Sequence, residues 1–256
     1  MLRTEDLLAA CGPVFEEFSY HFYRAISKRW AALTTETATT AEAASPEDWL
    51  ARTEVTKAFY AGLRDRFEPG RPLWVTGTAD AAARGNPWAS SFLDTFRYVE
   101  QLGRLAKRGV KVVIHNTLAS SDYGLLDGQP LTPRPNYWAA LLWRTLVGTT
   151  VLDAGRPSTP RLHLYAHSRR DDPGGVALVI VNTDPAASRQ LIIPTASERF
   201  TLSARELLDT AVELNGAQLQ LNANGELPTR AGVPTPPGRG LGLPGEHHVL
   251  GGPAPS

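Results

Sequence analysis

The segment from Leu73 to Ile114 constrains this chain more tightly than any other. Leu73-Trp74-Val75-Thr76 has the content of a strand, and a loop containing Gly85-Asn86-Pro87 leads to a helix from about Ser90. Phe92, Phe96, Val99, Leu102 and Ala106 recur there at spacings of three and four, which gives the helix one apolar face. Lys107-Arg108-Gly109 ends it, with cations in the last turn and then a glycine able to adopt φ > 0. Val110-Lys111-Val112-Val113-Ile114 follows at once as a strand. Strand, helix and strand with so short a return predict a parallel βαβ unit.

The neighbouring segments extend that pattern. Glu17 to Tyr23 reads as an earlier strand, with aromatic and polar side chains in rough alternation. Thr34 to Ser45, rich in Thr and Ala, reads as a surface connection. Ser45-Pro46-Glu47-Asp48 then opens a helix to about Phe67, expected to carry Trp49, Val55, Phe59 and Leu63 on its apolar face. A further helix is expected from Asn136 to Val147.

From Gly148 the texture changes to short antiparallel strands. Arg161–His167 and Val176–Asn182 flank the turn sequence Asp171-Asp172-Pro173-Gly174-Gly175. Gln190–Ile193 and Phe200–Leu202 are further strands, and Asn215-Gly216 is a hairpin signal between Val212–Leu214 and Ala217–Leu221. The expected organisation is an α/β region over residues 1–147, an all-β sandwich over 148–228, and a disordered Pro/Gly-rich tail over 229–256.

Composition removes several functional classes. The 256 residues carry 26 Lys+Arg against 26 Asp+Glu, so no net charge draws the chain to nucleic acid or an anionic membrane. No apolar run is long enough to span a bilayer, and Met1 to Asp6 does not read as a secretory leader. The single cysteine, Cys11, excludes an internal disulfide and a thiolate zinc site. His247-His248 sit in the Pro/Gly tail without companion ligands, so no metal and no cofactor are expected.

In a parallel α/β layer, ligands bind beyond the carboxyl ends of the strands. That rule singles out His21 to Tyr23, Gly77-Thr78, and His115-Asn116 with the loop that follows, which includes Tyr123. Polar and aromatic groups converging there suit a sugar, which needs hydrogen bonds at its rim and an aromatic wall for its C–H face. The same aromatics could equally fill a core, and a histidine at a strand end could be structural.

Several motifs in order then resemble glycoside hydrolase family 79, the family of heparanase and related β-glucuronidases. They are Trp74-Val75-Thr76-Gly77-Thr78, Phe92-Leu93-Asp94-Thr95-Phe96, Tyr98-Val99-Glu100-Gln101-Leu102-Gly103 and Gly109-Val110-Lys111-Val112-Val113. The likeness continues through Asp122-Tyr123-Gly124-Leu125-Leu126-Asp127, Pro135-Asn136-Tyr137-Trp138 and Leu146 to Leu152. Upstream, Phe18 to Tyr23 looks like the family's strand with a His and a Tyr at the sugar site.

The resemblance implies a TIM barrel followed by a β-sandwich that cleaves uronic-acid glycosides with retention. Such chemistry uses two carboxyl groups about 5–5.5 Å apart. A Trp-x-x-Glu-Thr pattern would place the nucleophile at residue 77, where this chain has Gly77, and no Asn-Glu dipeptide is present to supply the acid/base. A complete barrel takes about 250 residues. The expected fold is therefore α/β plus all-β: the last three β/α units of an incomplete TIM barrel, then a C-terminal β-sandwich.

On this reading His21, Tyr23, His115, Asn116 and Tyr123 are the sugar-binding residues and the chain is catalytically silent. Asp80 is a distant substitute for the nucleophile. Ala82-Ala83-Arg84-Gly85 replaces the family's consecutive glycines, and Arg84 could meet a carboxylate through its own charge. The expected partners are a uronic-acid-containing glycan and the missing N-terminal half of the barrel. Relatives are commonly secreted, but this sequence leaves the compartment open.

Overall fold

The computed structural model describes residues 3–33, 38–155, 159–243 and, by backbone alone, 247–253. Part of the expected surface connection at Thr34 to Ser45, and the side chains of His247-His248, lie outside the described residues.

The expected parallel unit is present and is preceded by another. After a short helix α1 (Thr4–Cys11), the chain runs β1 (Phe18–Tyr23), a single turn α2 (Lys28–Ala31), α3 (Glu47–Phe67), β2 (Leu73–Ala79), α4 (Leu93–Lys107), β3 (Val112–His115) and α5 (Pro135–Leu146). The three strands form one parallel sheet in the order β1-β2-β3. Gly109, at φ 77°, lets the chain leave α4 while the Val110 amide donates to Leu105 O, so β3 can begin within a few residues.

The register contains one irregularity that matters for the site. Tyr20 pairs with Val75, but the next residue, His21, pairs with Gly77, so Thr76 is an extra residue in β2. Val75 therefore faces the helices with Tyr20, while Gly77 faces the opposite, open side with His21.

The chain then crosses directly into antiparallel structure. β4 (Val147–Leu152), β5 (Leu162–Arg169), β6 (Val176–Asn182), β8 (Ser197–Ser203), β9 (Glu213–Leu214) and β10 (Ala217–Gln218) join β13 (His247–Pro253) in a sheet of order β10-β9-β8-β13-β6-β5-β4, with β11 (Val233–Thr235) paired to β8. β7 (Arg189–Ile192) and β12 (Gly240–Leu243) make a separate two-stranded ribbon. Asn215 and Gly216 both have positive φ, as a two-residue hairpin turn requires.

Two expectations are corrected. The stretch 229–256, read as a disordered tail from its Pro and Gly, supplies β11, β12 and β13, and β13 is hydrogen-bonded on both sides, to β6 and β8. Its strand state comes from partners distant in sequence, which local composition cannot reveal. The α3 face is also misassigned. Trp49 and Leu63 are buried, but Val55 and Phe59 are 71% and 62% exposed. At about 100° per residue, positions 55 and 59 lie well round the helix from 49, and the buried stripe runs instead through Trp49, Leu50, Thr53, Ala61 and Leu63.

The largest core cluster joins the two textures rather than separating them. Phe92 at the start of α4, Phe96 and Val99 within it, and Trp138, Leu142 and Leu146 of α5 pack against Tyr165, Val179, Val181, Phe200 and Leu202 of the antiparallel sheet. The sheet's other face meets the ribbon through Leu162, Ile180, Leu241 and Leu243. Helix α4 thus lies between two sheets, which explains why its polar residues Asp94, Arg97, Glu100, Gln101 and Arg104 are buried as well.

Candidate functional site

The carboxyl ends of β1, β2 and β3 carry the candidate site residues. Side chains two apart on a strand share a face, about 7 Å from each other, so His21 and Tyr23 both point to the open side. Tyr23 pairs with Ala79 as His21 pairs with Gly77. A Cβ placed on Gly77 would lie 3.2 Å from Cγ, Cδ2 and Cε1 of His21, so the imidazole lies flat over the glycine.

At the neighbouring strand end, Asn116 joins two aromatics. Its Nδ2 donates to Tyr23 Oη at 2.9 Å and to Tyr123 Oη at 3.2 Å. Tyr23 and Tyr123 pack with Ala79 and Ala89. Burial raises the Tyr23 phenol above its ordinary range, against the opposing hydrogen bond from Asn116.

His115 belongs to a different layer. Adjacent strand residues face opposite ways, and its ring points toward α4, edge-on to Tyr98 at 5.2 Å between centroids. Burial, reinforced by the Arg97 charge, lowers its pKa to about 4. The neutral ring holds the Tyr123 carbonyl with Nε2 at 2.7 Å. The structure therefore gathers His21, Tyr23, Gly77, Asn116 and Tyr123 on the open side and puts His115 behind them as a support for Tyr123.

Asp80 is enclosed. It has no exposure, and its Oδ2 accepts from Asn86 N at 2.9 Å and from Asn86 Nδ2 at 3.2 Å. Burial, then the nearby Asp94 charge, pushes its pKa up to about 7. A Cβ on Gly85 would lie 2.7 Å from Tyr123 Cδ1 and 2.9 Å from Asp80 Oδ1, so that turn closes tightly over both groups. Ala83, Arg84 and Gly85 all have positive φ, the geometry for which glycine is the unstrained residue. Arg84 is exposed, and its carbonyl accepts the Asp122 amide at 3.1 Å.

Residues without a local sequence signal hold these loops. Arg134 Nη1 donates to the carbonyls of Ser121 at 2.6 Å and Asp122 at 2.8 Å, while Arg29 Nη2 meets Asp122 Oδ2 at 2.8 Å. Beneath β2, Arg97 forms a buried pair with Asp94 and reaches Gln101, which bonds Thr78 of β2 and Thr53 of α3. Asn136 of α5 donates to Asp94 at 2.6 Å. Asp94, Gln101 and Asn136 sit within quoted motifs, but nothing local in sequence marks them as one network.

No protein-family model matches the chain. Individual proteins do. Baicalin-β-D-glucuronidase of Scutellaria baicalensis is 30% identical over 186 residues, which are 68% of this chain and 35% of that protein. Heparanase of Gallus gallus is 30% identical over 223 residues, 78% of this chain and 42% of that protein. The chain belongs to the heparanase and β-glucuronidase family.

A further relative of this heparanase-like chain is the inactive heparanase-2 of Mus musculus, 27% identical over 202 residues, 70% of this chain and 34% of that protein. The chain spans between a third and somewhat over two fifths of the length of these relatives. Among solved structures, the GH51 α-L-arabinofuranosidase of Thermotoga petrophila RKU-1 matches with a TM-score of 0.69 over 98% of this chain and 55% of that one, at 12% identity. That likeness is one of fold: a mixed α/β arrangement shared with glycoside hydrolases.

Proposed function

We propose that this heparanase-like chain is the C-terminal part of a retaining glycoside hydrolase acting on uronic-acid glycans, and that it is catalytically silent as written. Residues 1–147 would be the last three units of a (β/α)8 barrel, and the strands from residue 148 onward a β-sandwich domain. The β1-β2-β3 order, with a helix after each strand, supports the first part. The eight-stranded sheet, with the β7–β12 ribbon on its far face, supports the second. Glycosidase relatives favour a carbohydrate ligand, and the absent barrel half would be a protein partner or a preceding segment.

One observation carries the assignment of silence. The β2 position where the family resemblance puts the nucleophile is Gly77, and the space over it is taken by the His21 ring. Asp80, the nearest carboxyl in sequence, is enclosed and bonded to Asn86. A retaining mechanism needs a nucleophile and an acid/base, so Gly77→Glu alone should leave aryl-glucuronide hydrolysis at the level of a buffer blank. Turnover by that single variant would overturn the proposal.

The Tyr23–Asn116–Tyr123 group favours a second reading, a non-catalytic carbohydrate-binding protein built on the same fold. Calorimetric titration with uronic-acid oligosaccharides should then saturate, and weaken in Tyr123→Phe or His21→Ala. Flat titrations of a folded sample would remove it.

A further inference from the structure

A second concavity lies at the opposite end of β3 from His115 and Asn116. It is a cleft of about 810 Å³ bounded by the last turns of α4 and α5, the start of β3, and β4. That volume falls within the roughly 300–1,000 Å³ of small-molecule sites. Leu102, Ala106, Val113, Ala140 and Trp143, all half-buried, give it an apolar lining. From Val147 to Val151 β4 advances four residues while β5 advances two between the paired Arg169 and His167, so the wall that carries His167 is bulged.

Lys111, Arg144, His167 and Arg170 line this cleft, and no described carboxylate does. The carbonyl ends of helices attract cations, and Arg170 answers that of α5: its amide donates to Leu146 O at 2.9 Å and its Nη2 to Val147 O at 3.2 Å. Its Nε is buried without a partner. Lys111 and Arg144 are exposed and make no ion pair or side-chain hydrogen bond among the described residues. His167 is only 2% exposed, lies edge-on to Trp143 at 5.4 Å between centroids, and neither ring nitrogen has a partner of hydrogen-bonding geometry. Burial holds its pKa below the ordinary histidine range, against the opposing influence of the Gly148 backbone, so the ring is neutral at neutral pH and keeps one N–H to donate. Buried donors normally find an acceptor, and a ligand is what would supply one here.

We propose that this cleft binds a small organic anion with an apolar body. The body lies on Leu102, Val113 and Trp143, and the acid group accepts from His167 and from Arg170 Nε. Lys111 and Arg144 supply the positive potential that draws it in. Apolar lining with a few convergent polar groups is the usual make-up of a small-molecule site. The inference is separate from the reading of Gly77 and stands or falls without it.

The test is equilibrium dialysis of the full chain at neutral pH and constant ionic strength. The probes are naphthalene-2-sulfonate, its neutral counterpart naphthalene-2-methanol, and inorganic sulfate as a competitor without an apolar body. The sulfonate should bind saturably, one per chain, and about tenfold or more tighter than either of the others. Combining Lys111→Gln with Arg144→Gln should weaken sulfonate binding about tenfold and leave the neutral probe unchanged. His167→Phe, which keeps the ring but removes its N–H, should have the same selective effect. Ala140→Trp should fill the cleft and abolish binding of both naphthalenes.

Equal affinity for the sulfonate and the neutral probe would overturn the anion site, and sulfate binding as tightly as the sulfonate would overturn the apolar one. No saturable binding by a folded chain would overturn both. Lys111 and Arg144 are exposed, so their substitution leaves the core untouched. Sulfonate binding unchanged in that variant would therefore defeat the proposal even if His167→Phe and Ala140→Trp fail to fold.

Discussion

At the scale of single residues, two titratable groups around Tyr123 oppose each other. Burial, helped by Asp94, raises the Asp80 carboxyl from 3.8 to about 7. Between those values the folded chain keeps a proton that the unfolded chain has lost. The stability it contributes is therefore complete below about pH 4 and is lost as pH rises through about 7. Burial and Arg97 depress His115 from 6.5 to about 4, so its contribution is complete above about pH 6.5 and is lost as pH falls toward 4.

Over pH 4 to 6.5 the two slopes cancel in large part, and each is bounded by about 1.4 kcal/mol per pH unit. Urea midpoints at pH 4.5, 5.5 and 6.5 should be nearly level for the natural chain. They should rise with pH in Asp80→Asn and fall with pH in His115→Gln. Level profiles in both variants would show that neither group titrates as its surroundings dictate. The same pair marks a limit of the sequence. That His115 and Asn116 follow a strand is legible, but which of them faces the open side depends on the extra residue at Thr76, and a bulge leaves no local signature.

At the scale of elements, legibility followed how local the determining forces are. The helix α4 and the strand after it were readable because apolar spacing, basic last turn and Gly109 all act within a few residues. The strands β11 to β13 were not, because each is made by partners far along the chain. The burial of α4 on its polar side was hidden for a related reason: Glu100 and Arg104 look like a solvated pair until β5 covers them. Tyr165 Oη donates to Glu100 Oε2 at 2.8 Å, and Arg104 Nε meets the same oxygen at 2.8 Å.

That covering depends on Gly103, where any Cβ would overlap the Tyr165 ring. Gly103→Ala should therefore push α4 and β5 apart. The loss is expected at about 1–3 kcal/mol, the usual cost of overpacking, although alanine favours helix. A denaturation midpoint unchanged or raised by this substitution would mean the two layers can shift freely, contrary to the shared core.

At the scale of the whole molecule, the parallel sheet has only three strands, so β1 and β3 each present one edge without a strand partner among the described residues. Unpaired edges are templates for pairing with another chain. Exposed apolar side chains lie close by: Ile114 on β3 at 47%, with Leu118 following it, and Phe15 ahead of β1. Val55 and Phe59 add an apolar patch on the outer side of α3. None of these belongs to the cores that hold the two sheets together. The chain by itself should associate at micromolar concentration, giving sedimentation coefficients that rise with loading. Ile114→Lys puts a charge on the exposed face of an edge strand, a substitution that opposes edge pairing. It should shift the distribution toward monomer without lowering the unfolding midpoint, since Ile114 buries little. A natural chain that sediments as a compact monomer across that range would mean the open edges are closed by its own loops. The three-stranded parallel sheet would then be self-sufficient rather than one that needs a further strand from another chain.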